Sequence, residues 1–215
     1  ENRWAIDEIK GLRKDKKDYE NICQNHYEAF WKKGISVDVI DMDADYSKYK
    51  LLIAPLLYMV RQGVAEKIEA FVKNGGTFVT TYCSGMVNEN DLCFLGGFPG
   101  PLRNVLGIWS EEIDSLYDAD VNYIIPDCKN ILDLDKVYEA RIYCDIIHTE
   151  GAEVLATYKD DFYSGYPALT VNHFEKGEAY YIAFRNDTDF QNDFYSKLID
   201  KCKLKKSMDA DLPEG

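Results

Sequence analysis

Gly76-Thr77-Phe78-Val79-Thr80-Thr81-Tyr82-Cys83-Ser84-Gly85 is the stretch on which the fold turns. From Thr77 to Tyr82 every residue is β-branched or aromatic, and small residues follow at once, which predicts a strand running into a tight turn. Just upstream, Val64, Ile68, Phe71 and Val72 share one face of a helix that stops at Gly75-Gly76. Further back, Lys50-Leu51-Leu52-Ile53-Ala54 is a short apolar run ended by Pro55, as expected of a strand buried on both faces. Strand, helix and strand in this order imply a doubly wound, mostly parallel sheet flanked by helices, with its functional edge at the carboxyl ends of the strands.

Toward the amino end, Ile22, Cys23, Tyr27, Phe30 and Trp31 recur at helical spacing, with Asp18 as the expected N-cap and Gly34 as the stop. Ile35 to Ile40 alternates like a strand, and the acidic stretch Asp41 to Asp45 is its loop. Beyond the turn-rich Gly96-Gly97-Phe98-Pro99-Gly100-Pro101, strands are expected around residues 121–125, 137–146, 153–158, 168–173 and 179–184. Short connections such as Glu175-Lys176-Gly177 make them antiparallel hairpins added to the sheet. A final amphipathic helix carries Phe190, Phe194, Leu198, Ile199 and Cys202. A polar tail then leads to Leu212-Pro213-Glu214-Gly215, so residues 1–204 are expected to form one domain and 205–215 to lead toward another.

The 215 residues suit a single α/β domain. A net charge of -13 argues against a phosphate-backbone partner, which needs a clustered positive field. No run approaches the roughly 18 apolar residues of a membrane span, and the charged start from Glu1 to Lys17 does not resemble a leader. The six cysteines are far apart and form no Cys-x-x-Cys or zinc-type cluster, which points to free thiols in a reducing, cytoplasmic setting with no metal or other cofactor.

The segment Cys83-Ser84-Gly85 resembles the nucleophile elbow of class I glutamine amidotransferases, where a thiol at a strand-to-helix turn faces an oxyanion hole of backbone amides. Such a thiol needs a base within reach. That family delivers a histidine, then a glutamate two residues on, from a strand near the carboxyl end. Here the matching strand runs into Arg185-Asn186-Asp187, and arginine is no base at neutral pH. Tyr82 also replaces the glycine ahead of the nucleophile, so the elbow reads as degenerate and Cys83 as a structural thiol. His26, His148 and His173 are isolated from one another and read as structural, and Asp160-Asp161 reads as a solvated loop.

Several stretches together resemble the middle domain of family 42 β-galactosidases: Glu1-Asn2-Arg3-Trp4-Ala5, Tyr49 to Pro55, Ser84 to Asp91, Gly96 to Arg103, Gly107-Ile108-Trp109-Ser110-Glu111-Glu112 and Glu150 to Tyr158. The resemblance covers nearly the whole chain. It implies a flavodoxin-like, amidotransferase-like fold without a catalytic triad, placed between a TIM barrel that bears two catalytic glutamates and a small β domain. The expected role is trimerisation and contact with the barrel, with no catalytic residue in this chain. Cys83 stands where that family usually has an aromatic residue, which fits packing. The family pattern also places a short apolar strand ahead of Glu1 in the interior of the sheet. Without it, the sheet is expected to close over the gap, take in the N-terminal residues, or accept a strand from a neighbouring chain.

Within Gly96 to Trp109, Phe98, Leu102 and Trp109 are the candidate interface residues. The other readings are a thiol hydrolase or amidotransferase using Cys83, and a small-ligand module using the loops at Ser84-Gly85 and Gly96 to Pro101.

Overall fold

The computed structural model describes Asn2, Ile6 and residues 18–207. Its organising unit is the anticipated strand–helix–strand: β1 (Leu51–Ala54), α2 (Val64–Lys73) and β2 (Thr77–Thr81), preceded by α1 (Tyr19–Trp31). Leu51 pairs in parallel with Thr77 and Ala54 with Thr80. Gly75 has φ +102, the backbone value that lets the chain leave α2 and turn into β2.

After a 3-10 turn (Gly100–Leu102) and the short α3 (Arg103–Leu106) come seven strands. They are β3 (Ile108–Ser115), β4 (Asn122–Pro126), β5 (Tyr138–Ala140), β6 (Tyr143–Thr149), β7 (Glu153–Tyr158), β8 (Pro167–Phe174) and β9 (Gly177–Ile182), and α4 (Thr188–Lys201) follows. The main sheet has the order β1-β2-β9-β8-β7-β4-β5, while β3 and β6 form a separate antiparallel pair. The sheet is therefore mixed. One limb, β1-β2-β9, is parallel and the other is antiparallel.

The β8–β9 hairpin turns at Glu175-Lys176, with Phe174 opposite Gly177. On one face of β9, Tyr180 meets Phe194 of α4 at 5.8 Å between ring centroids, and Phe190 meets Tyr138 of β5 at 5.2 Å. From the other face, Tyr181 reaches Asp145 of β6. The second sheet is thus tied to the first through Asp145, and Cys144, Ile146 and Ile147 of β6 are buried.

Four expectations change. Ile35 to Ile40 is not a strand: only Ile35 bridges, to Lys206, and Val39 is 89% exposed. Among the described residues β1 is consequently the edge of its sheet, and it is half-buried rather than buried on both faces. The expected strand over 137–146 is two, β5 and β6, because Ile142 at φ +74 breaks the run. Asp18 stands at the N-cap position of α1, yet its carboxylate accepts from the Asn21 side chain instead of a backbone amide. β3 was not anticipated: the sequence reading passes from the turn-rich stretch 96–101 to a first strand around 121–125.

Between residues 35–42 and the open edge of β1 lies a groove of about 890 Å³, lined among others by Val39, Ile40, Leu52, Ala54 and Asn2. The gap was expected in the interior of the sheet, whereas among the described residues this groove lies at its edge, beside β1. Whether the N-terminal residues fold into it falls on residues outside the described set, apart from Asn2 and Ile6. Asn2 Oδ1 accepts from Met59 N at 2.6 Å, and Ile6 packs with Ile22 and Leu56.

Candidate functional site

The turn after β2 is the elbow that the sequence suggests. Cys83 has φ +58 and Gly85 φ +67, two left-handed residues around Ser84. Gly85 is obligatory: a Cβ there would stand 2.1 Å from the carbonyl oxygen of Pro99. Ser84 Oγ lies 2.7 Å from Thr80 Oγ1 and accepts from Leu57 N at 3.0 Å. The elbow is thereby tied to β2 and to the segment after β1. Cys83, Ser84 and Gly85 are all buried.

The Cys83 backbone N–H donates to Asp145 Oδ2 at 3.2 Å, and Tyr181 Oη donates to the same oxygen at 2.5 Å. The Cys83 amide, which would have to face a reaction oxyanion, is therefore already bound to a carboxylate of the protein itself. Asp145 is 1% exposed, and burial pushes its carboxyl up to about 7, against the smaller opposing effect of its two hydrogen bonds. Asp145 Oδ1 and Tyr82 Oη are buried without hydrogen-bond partners. Tyr158 Oη closes the cluster by donating to the carbonyls of Asp145 and Ala183 at 3.1 and 2.8 Å.

The histidines are engaged elsewhere. His26 Nδ1 meets Tyr195 Oη at 2.5 Å where α1 packs on α4, and burial drives the imidazole down to about 3. His148 Nε2 pairs with Glu111 at 2.7 Å on the β3–β6 surface. His173 lies beside Glu153 and Glu178. Arg185, at the position where the amidotransferase pattern has histidine, is half-buried, with its backbone N–H donating to Tyr143 O at 2.9 Å. Among the described residues no group of three or more His, Cys, Asp or Glu side chains could hold a metal. No described helix is long and apolar enough to cross a membrane.

Of the candidate interface residues, Leu102 is fully buried in the chain's own core, so its side chain packs inward. Phe98 and Trp109 remain half-buried. The indole of Trp109 stacks on His148 at 4.9 Å, and His148 meets Tyr166 at 5.5 Å. The loops proposed for a small ligand instead pack together: a Cβ on Gly100 would meet Phe94 at 2.6 Å and the Gly85 carbonyl at 2.8 Å. Asp145 was missed in the sequence, although the signal was there. It is a lone carboxylate inside the apolar run Ile142-Tyr143-Cys144-Asp145-Ile146-Ile147, where an acid needs a partner to be tolerated.

Comparison with known proteins bears on the whole chain. Residues 1–205 match the family described as the β-galactosidase trimerisation domain. The β-galactosidase Pbg of Clostridium perfringens is 62% identical over 215 residues, which is 100% of this chain and 31% of the relative. The crystal structure of the cold-adapted β-galactosidase from Rahnella sp. R3 superposes with a TM-score of 0.96 at 55% identity, covering 100% of this chain and 32% of that one. Gan42B, a family 42 β-galactosidase from G. stearothermophilus, gives 0.89 at 40% identity over 96% of this chain and 29% of that one. The chain spans about a third of the length of the relatives it matches.

Proposed function

The chain belongs to the family of β-galactosidase trimerisation domains found in family 42 glycoside hydrolases, and we propose that it is the assembly part, without chemistry of its own, of a longer cytoplasmic enzyme. That enzyme hydrolyses terminal β-D-galactosides with residues outside this chain, in a barrel that this domain contacts. Residues 1–204 form the domain, and 205–215 lead toward a following one. The winding is flavodoxin-like, and the parallel limb β1-β2-β9 supports this.

One observation carries the non-catalytic reading. Asp145 occupies the amide of Cys83, so an acyl oxyanion at this elbow would have to displace a buried carboxylate and leave it unpaired. The purified chain therefore turns over neither glutamine nor an aryl β-galactoside, whereas the full-length protein hydrolyses the galactoside as a trimer. Turnover by the chain that vanishes in Cys83→Ser would overturn this function.

A further inference from the structure

Among the asparagines of the chain only Asn74 is followed by glycine, in Asn74-Gly75-Gly76 at the end of α2. The order matters chemically. The Gly75 amide nitrogen, on giving its proton to solvent, can attack Cγ of Asn74, and no side chain on Gly75 stands in the way. The Cγ–Nδ2 bond then breaks, ammonia leaves with a proton returned by solvent, and a cyclic succinimide remains. Water opens that ring at one carbonyl or the other, giving aspartate or isoaspartate. Water is the only co-reactant, and asparagine is thermolabile for this reason.

Asn74 and Gly75 are exposed, so solvent reaches both. What stops the reaction is backbone geometry. Asn74 is the C-cap of α2 at φ -85 and ψ 5, which turns the Gly75 nitrogen onto Asn74's own backbone nitrogen and away from the side chain it must attack. Three successive amides hold that arrangement: Asn74 N donates to Ala70 O at 3.1 Å, Gly75 N to Val72 O at 2.8 Å and Gly76 N to Phe71 O at 3.0 Å. Ring closure has to pull Gly75 N off the Val72 carbonyl and unwind the cap, so it waits for a local opening.

The junction also decides what the product does. Isoaspartate inserts a methylene into the main chain between 74 and 75, and the chain beyond has no slack to absorb it. Thr77 N donates to Lys50 O at 2.9 Å, and Thr77 is in register with both Leu51 and Glu178. Gly76 sits so tightly that a Cβ there would meet the Phe71 ring at 2.4 Å, and a Cβ on Gly177 would stand 2.3 Å from the Gly76 carbonyl oxygen. Aspartate, by contrast, adds only a charge at a helix end, mildly unfavourable to the dipole.

We infer that Asn74 is a deamidation site gated by the cap of α2: closed while β1, α2 and β2 are folded, open when they part, and irreversible in its isoaspartyl form because the lengthened chain no longer fits between β1 and β9. The test keeps the full-length protein at about pH 8 with and without concentrated urea and follows the peptide carrying Asn74 by mass spectrometry. Deamidation there should be at least tenfold faster in urea, and equal rates overturn the inference. A second sample, held in buffer just below its melting temperature, is separated by size exclusion into folded and aggregated protein. Isoaspartate at 74 should be enriched at least tenfold in the aggregate; the same level in both fractions overturns the inference. Asn74→Asp supplies the charge without the methylene and should leave the melting temperature nearly unchanged. If that variant alone unfolds the protein, charge rather than chain length does the damage and the inference fails.

Discussion

Asp145 of β6 holds the backbone amide of Cys83 through its carboxylate at 3.2 Å, bonding the second sheet to the elbow of the first. The contact joins residues 62 positions apart and makes the elbow rigid where an enzyme would need it open to substrate. Its energetics depend on pH, because a carboxyl that burial holds near 7 is neither fully neutral nor fully ionised at ordinary pH.

Replacing Asp145 with asparagine should reveal that dependence. The folded-state value lies above the ordinary 3.8, so the folded chain binds the proton more tightly than the unfolded one. The associated stability is fully present below pH 3.8 and disappears as pH rises through about 7, in total about 4 kcal/mol. Asparagine does not titrate. In urea denaturation at pH 5 and pH 8, Asp145→Asn should gain about 3 kcal/mol on wild type between the two. A difference independent of pH rejects this account.

His26 acts in the opposite direction. Its folded value, about 3, lies below the ordinary 6.5, so the unfolded chain takes the proton first and stability is lost as pH falls from 6.5 toward 3. His26→Gln, which keeps a polar group beside Tyr195, should flatten the acid side of the stability profile at the expense of about 1–2 kcal/mol at pH 7. An acid limb with unchanged slope means that carboxylates alone govern it.

Gly85→Ala should be among the most damaging single substitutions. The positive φ and the 2.1 Å approach to the Pro99 carbonyl leave no relaxation except separation of the elbow from the 96–101 loop. A loss of about 3 kcal/mol or more is expected in chemical denaturation. A loss under about 1 kcal/mol would show that the two loops are not packed as described.

Trp109→Ala removes the stack on His148 and the floor under Gly97. The full-length protein should lose about 2 kcal/mol of association free energy per contact by sedimentation equilibrium. Unchanged assembly with an unchanged melting temperature would remove Trp109 from the interface.

The groove beside β1 yields a stability comparison. Asn2 lies at its carboxyl-end mouth, so polypeptide joined ahead of Glu1 starts where an added parallel strand would finish. A chain extended there by about ten residues, one strand with its turn, should melt at a higher temperature. Equal melting temperatures would assign the groove another occupant.

The elements legible in the sequence were those whose signal is local. α2 and β2 could be read because apolar spacing and the Gly75-Gly76 stop lie within a few residues of each other. The Glu175-Lys176 hairpin was legible for the same reason. Ile35 to Ile40 has the alternation of a strand, but among the described residues only Ile35 finds a bridging partner, and only pairing makes a strand. β3 was hidden because its partner, β6, is remote in sequence. At the elbow, Cys83 to Gly85 could be read from residue types, whereas Asp145, the residue that closes it, came from a different sheet. Leu102 was taken for surface on composition, although its side chain turns into the core.

Among the described residues β1 has no strand partner on its outer side, which bears on colloidal behaviour. Free backbone groups along an edge strand template the pairing of any extended chain, including identical edges of other molecules. What opposes that here is charge placed beside the groove: Asp38, Asp41 and Lys48 line it along with the apolar residues, on a molecule whose net charge of -13 keeps copies apart. Concentrated salt shortens the reach of that repulsion while leaving the edge as it is. For the separated domain, high ionic strength should therefore promote fibrous or amorphous aggregation seeded at Leu51–Ala54, and low ionic strength should keep it dispersed.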